Sequence, residues 1–547
     1  TLVHDDTVEA YIGSAANVTT SAGPGKNITI NAHSTETEAA IGAAGAGSSG
    51  NFAFAGAGVI NVLTETTRAF VDRSATVNAG GNLTVHADDQ TKFVSVAGNL
   101  AVSAGAAAGA GAAVAVVSKH TDAFIESNVS STIGGNIDVK ASSKEIITAI
   151  GAGIAASGNV AVTVDAAVNV LNVDTRAFIG DDPDDGNASA GAGNVHADGS
   201  IAIQADERTE LNAIVGVVGF SGSAAITAGA VVTVTNKHTE AFVGSGAILS
   251  ASGNQAIFAA TGHIEPVQSG DGGAQGKIDT GTINSSPNAD SLASQGRVVS
   301  PGVSNADAPT VADDDGNARP NNPGTSSSML GGKVELKPFA TDQTGVSITA
   351  TNYDQINGLA AGIAGAGSAA VALSAVVNSI NDTTTASVAA NAHVTASAGN
   401  INISAASDVH HLAVAASLAV SGGGAVAPAV DVTVISNITS ASTEAGSVVT
   451  ASAGNIVVDA NAKEDMLLVG FGIAGATVGI GGAVSVLVVN NTTTAKIAGT
   501  ADAWGNVVVH STDDTDITIV DGAGGFGLGG AGASVGVISL SKTTEAY

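Results

Sequence analysis

The chain has 547 residues, of which 71 are glycine, 44% are hydrophobic, 3% are aromatic and none is cysteine. Its 48 acidic and 18 basic residues leave a formal charge of −30, which repels nucleic acid and anionic lipid. Without cysteine there is no disulfide, thiolate metal site, iron–sulfur cluster or thiol nucleophile, and a mean hydropathy of +0.32 with 12% charged residues provides apolar surface to fold around.

From the N-terminus, Thr7-Val8-Glu9-Ala10-Tyr11 introduces a segment that returns as Thr67-Arg68-Ala69-Phe70, Thr121-Asp122-Ala123-Phe124, Thr175-Arg176-Ala177-Phe178 and Thr239-Glu240-Ala241-Phe242. Weaker copies stand at Ala386, Ala441 and Ala495, and the usual spacing is about 54 residues. A second marker keeps step with the first, as in Gly81-Asn82-Leu83, Gly135-Asn136-Ile137, Gly399-Asn400-Ile401 and Gly454-Asn455-Ile456. Fixed-period self-similarity of this kind marks a repeat architecture.

Two spacings are long. One contains the acidic stretch near 181–190, and the other separates Ala241 from Ala386. The chain therefore divides into repeats over 1–253, an insertion rich in Pro, Gly and Asp over 254–344, and repeats again over 345–547, beginning at Gly345-Val346-Ser347-Ile348.

Within a unit, apolar and small or polar residues alternate at period two, as in Val160-Val162-Val164 against Ala161-Thr163-Asp165, which is the strand period. Ala79-Gly80-Gly81-Asn82 reads as a corner between strands, because Gly and Asn tolerate tight turns. The Ala/Gly tract from Ala104 to Gly111 has too much glycine for a helix and reads as closely packed strand. A unit this short buries its apolar surface only by stacking on its neighbours. The expected fold is all-β, a repetitive β-solenoid or parallel β-helix. One unit of 54 residues is either one wide coil or three narrow ones, and antiparallel hairpins fit the same alternation.

The Gly-Asn-Ile/Leu turn and strand, as at Gly399 to Ile403, resembles the passenger regions of large bacterial surface adhesins of the autotransporter and filamentous-haemagglutinin kind, including the leukotoxin-like filamentous adhesins. The Ala/Gly/Val-rich acidic composition adds to that likeness. The resemblance implies a right-handed parallel β-helix exported to the outer cell surface and acting in adhesion or cohesion. A 54-residue period departs from the shorter repeats typical of filamentous haemagglutinin.

Candidate chemistry is sparse. Asp181, Asp182, Asp184 and Asp185, and Asp313, Asp314 and Asp315, supply the hard oxygen ligands that calcium prefers, although a solvated turn explains the same residues. His410 and His411 point to opposite faces of a strand and cannot ligate one metal. Tyr11, Phe70, Phe124, Phe178 and Phe242 recur once per unit and read as a stacked ladder. The apolar run from Leu100 to Val117 keeps step with the repeat and reads as solenoid interior, not as a membrane span. No catalytic residue or cofactor site stands out. A polysaccharide-active β-helix would show itself by a groove with three or more convergent charged side chains.

These readings converge on a non-enzymatic extracellular β-solenoid segment of a giant bacterial surface protein, a stiff spacer or fibre body in adhesion or cell–cell cohesion. The alternative is the repeating subunit of an extracellular filament or sheath. The expected partners are further copies of the repeat or other subunits end to end, together with a surface receptor or glycan.

Overall fold

A computed structural model describes residues 1–182, 193–268 and 334–547, and these contain 27 strands and no helix. One turn of the chain shows the plan. Strand Phe52–Val71 runs for 20 residues, the 4-residue strand Thr76–Ala79 follows, and Leu83–Ser103 returns for 21 residues. The next strand, Ala106–Glu126, then lies parallel to Phe52–Val71 with Phe52 opposite Ala106 and Phe70 opposite Phe124.

Repetition of this plan builds a long parallel sheet of nine strands, a short one of eight and a second long one of eight. The chain is a parallel β-solenoid in which each 54-residue unit is one coil; among the described residues neither three narrow coils per unit nor repeated hairpins occur. At about 3.3 Å per residue each long strand spans roughly 65 Å, while eight coils at about 4.8 Å advance only about 40 Å along the axis. The molecule is thus wider than it is tall.

The two long sheets meet at a tip and diverge toward the short sheet, and the interior changes with the gap. Beside the short sheet it is filled by large aliphatics such as Ile133, Ile137, Leu83 and Val139. Midway, Leu63, Phe93, Ile147 and Leu171 pack together. Near the tip the interior narrows to alanine, as at Ala101, Ala107, Ala155 and Ala161.

The reading of Leu100–Val117 as interior holds for alternate residues only, such as Ala107, Ala113, Ala115 and Val117. Ala101 is fully buried, whereas Leu100 and Val102 are 46% and 45% exposed. Val160 and Val164 likewise face outward, and Ala161, Thr163 and Asp165 face inward. Facing strands near the tip lie too close for large aliphatic side chains, so the smaller residues go inside.

The glycines at the tip have a matching cause. A Cβ on Gly222 would lie 2.1 Å from the Gly158 carbonyl oxygen, and one on Gly367 would lie 2.0 Å from that of Gly222. At the corner before the second long sheet, the Gly-Asn marker becomes an asparagine ladder. Asn82 Oδ1 accepts from the Asn136 backbone N–H at 2.9 Å, and Asn136 Oδ1 accepts from Ser200 N–H at 2.8 Å. Each rung's side chain thereby fixes the register of the next.

The excursion leaves after the short strand Ile248–Ala251. Its base is an antiparallel pair, Ile257–Gln268 with Val334–Gln343, and the solenoid resumes with Gly345–Ala366. Ile201 is paired with Val346 across the gap, so the parallel register continues past the insertion.

Candidate functional site

A groove of about 770 Å³ lies between the outer face of the second long sheet and the base of the excursion. Its floor comes from equivalent outward positions on successive coils. His86, Lys140, Gln204 and Thr349 form one ladder, and Gln90, Lys144, Arg208 and Tyr353 form another. Strand alternation places these side chains outside, and stacking brings residues far apart in sequence side by side.

Hydrogen bonds tie the floor to the wall. His86 Nε2 meets Asp138 Oδ2 at 2.8 Å, Gln204 donates to Asp138 Oδ1 at 3.1 Å, and the Ala260 backbone N–H donates to Gln204 Oε1 at 2.9 Å. Thr351 donates to Asp206 at 2.8 Å. Burial raises the Asp206 pKa above the ordinary carboxylate value despite nearby Lys140. The Arg208 guanidinium lies 5.8 Å from the centre of the Tyr353 ring, and Phe258 is exposed on the wall. Cations, carboxyls and aromatic rings so combined can hold a polar, ring-containing ligand such as a saccharide.

A second concentration of charge lies inside the solenoid. Lys119 Nζ meets Asp89 at 2.5 Å and Glu145 at 2.8 Å, with all three side chains buried. Two coils on, Lys237 repeats the arrangement with Glu207 and Asp354 and also donates to Asn352 Oδ1 at 2.8 Å. Lys542 pairs with Asp513 at 2.5 Å in the same column. Each lysine reaches an acid of the coil before it, and Lys119 and Lys237 also reach one in their own coil.

Acids in this seam outnumber lysines, and burial raises several of their pKa values. Asp89 is pushed up to about 7 by burial against the pull of Lys119. Glu464 rises to about 8 through burial and Asp513. Glu207 rises well above the usual value through burial, against Lys237, and Asp382 through burial and Asp354. Glu145 is the exception: Lys119, Glu207 and Ser143 overcome burial and lower it to about 2.

The sequence candidates are placed as follows. Asp182 is bound by both Arg176 guanidinium nitrogens, at 3.0 and 2.6 Å, and Asp181 is buried beside it. That ion pair satisfies both carboxylate oxygens of Asp182 within the protein. Asp184, Asp185, Asp313, Asp314 and Asp315 lie outside the described residues.

His411 is buried between the Ile356 carbonyl at 3.0 Å and Thr433 at 3.0 Å, and burial lowers its pKa to about 4. His410 faces outward, where burial is outweighed by Asp408 and Asp465, which raise it to about 9. The recurring aromatics stack, with ring centres 4.7–4.9 Å apart from Tyr11 to Phe242. Arg68 and Arg176 lie over that ladder at 5.1–5.5 Å.

Among the described residues, one group of three metal-ligating side chains converges, His4, Asp6 and Glu36, on the first coil. Neither it nor the groove or seam was found from motifs, because their members come from different coils. The available signal was the repeat register, which aligns Asp6 with Glu65 and Lys119 once strands are paired.

No protein-family model matches the chain, and neither a curated protein nor a solved structure was found to be similar to it.

Proposed function

We propose that this chain is an extracellular structural and adhesive segment of a giant bacterial surface protein. The observation carrying the proposal is register: equivalent residues pair from coil to coil in all three sheets, and across the excursion. Most chemistry-bearing residues are engaged in ladders that stiffen the array. Each coil advances about 4.8 Å for about 54 residues, so the chain gives breadth in place of reach, and a fibre body suits it better than a spacer. Lack of cysteine and strong acidity suit an exported, mutually repelling surface protein.

The test is display of the chain on a non-adherent bacterium. Attachment to cells or matrix, with stiff projections visible by cryo-electron tomography, supports the proposal. Surface display without attachment or cohesion rejects the adhesive role. An axial repeat equal to one chain would favour the filament subunit.

The groove favours a second reading, that of a polysaccharide-binding or polysaccharide-active face, because it contains the convergent charged side chains expected of one. Calorimetry with neutral and uronate-containing polysaccharides tests it, together with assays for new reducing ends or unsaturated uronates. Heat or product that disappears in Lys140→Ala/Arg208→Ala supports this reading, and silence across the panel rejects it.

A further inference from the structure

The half of the solenoid nearest the tip is inverted relative to an ordinary core. On the outer face of the second long sheet, Val96, Ile150, Ile214, Leu359, Val414 and Val469 form one continuous ladder. Two positions on, Gly98, Ala152, Gly216, Ala361 and Ala416 form another, which Phe471 ends on the next coil, and beyond it stand Leu100, Ile154, Val218, Ile363, Leu418 and Ile473. Ile154, Ile214, Ile363, Leu418 and Ile473 are 37–46% exposed.

The surface is therefore two apolar ridges with a trough of Gly and Ala between them over five coils, closed at the sixth by the exposed Phe471. Adjacent outward ladders lie about 7 Å apart, and coils about 4.8 Å apart. From Val96 to Val102 and across the six coils named, the patch covers roughly 800 Å². A standard stable interface needs about 800 Å² from each partner. Parallel sheets are normally covered on both faces, and contiguous apolar patches of this size mark contact sites.

We infer that this face is where a second copy of the chain packs, sheet against sheet, with a ridge of each copy seated in the trough of the other. The two copies then present the same patch to one another, as two-fold symmetry requires. The relief selects this occupant over lipid. Fluid acyl chains have no use for a trough of fixed spacing, whereas facing sheets interdigitate large side chains with small ones. The interior under the patch contains polar pairs, with Asn99 donating to Asp165 at 2.7 Å, which suits an aqueous protein contact better than a bilayer. This contact is lateral and goes beyond the adhesive role, since it can exist whether or not the chain attaches to anything.

Gly216→Leu provides the decisive variant. A Cβ at Gly216 meets nothing within 4 Å, so the added side chain leaves the monomer unstrained, enlarges the apolar area and fills the trough. Sedimentation velocity between about 1 and 100 µM should show a dimer for the wild type and a dissociation constant about tenfold weaker, or more, for Gly216→Leu. Ile214→Glu/Leu359→Glu should be monomeric, with circular dichroism and the urea midpoint confirming the fold.

A wild-type monomer at 100 µM overturns the proposal. So does association that Gly216→Leu strengthens or leaves unchanged, which would point to end-to-end stacking or nonspecific adhesion. Flotation of the wild type with neutral phosphatidylcholine vesicles would assign the face to lipid and overturn it as well.

Discussion

At the scale of single residues, the lysines of the interior seam carry the largest expected effects. Lys237 is buried between Glu207 and Asp354. Replacing it with methionine strands two carboxyls in a dry interior, and the urea midpoint should report a loss of about 3–5 kcal/mol. Adding Glu207→Gln and Asp354→Asn to Lys237→Met should recover most of that loss, because it removes the unpaired acids. No recovery would refute the pairing.

Proton linkage follows from the same residues. Asp89 has an unfolded value of 3.8 and a folded value of about 7, and Glu464 moves from 4.5 to about 8. Between these limits the folded chain binds more protons than the unfolded one, so stability falls as pH rises. Glu145 acts oppositely, and its contribution is lost as pH drops from 4.5 toward 2. The urea midpoint should therefore be higher near pH 5 than near pH 8.5. A midpoint that is flat or rises over that interval rejects the assignment. Asp382→Asn should flatten the slope, since burial and Asp354 raise that acid also.

Among elements, the tip turns are the least forgiving. Gly158, Gly222 and Gly367 approach one another's backbones too closely for a methyl group. Gly222→Ala should therefore destabilise by about 1–3 kcal/mol, whereas Gly216→Ala, in open space, should be nearly neutral. Thermal denaturation of the two variants makes the comparison, and equal effects would contradict the close approach.

The long strands also show what could be read beforehand. Period-two alternation and the Gly-Asn markers were enough for strands, corners and stacking. They could not say which side of a strand was inside, because alternation distinguishes two faces without orienting them. At the start of Val160–Gly180, Val160 and Val164 stand outside while Ala161, Thr163 and Asp165 are buried, yet farther along the same strand Leu171, Val173 and Ile179 are the buried ones. What decides this is the distance to the facing sheet, a quantity that no single strand encodes. The groove was hidden for a related reason: His86, Gln204 and Tyr353 become neighbours only after coils are set in register. Phe70, Phe124 and Phe178 were legible because each ring repeats at the same phase.

For the whole molecule, the coil geometry fixes the proportions. Small-angle scattering at low concentration should give a flat particle about 65 Å across the coil and about 40 Å along the axis. A slender rod exceeding 100 Å would contradict one coil per unit. At higher concentration the lateral contact should thicken the particle while leaving its breadth unchanged.

The antiparallel base of the excursion acts as a socket. Gln268 is held opposite Val334 by strand pairing, and the coils on either side match without reference to residues 269–333. The register of the coils is thus set by the coils themselves. Replacing residues 269–333 with an unrelated folded cargo whose termini lie close together should leave the melting of the coils unchanged. By the same logic, a lineage could exchange what it displays there without redesigning the wall that carries it.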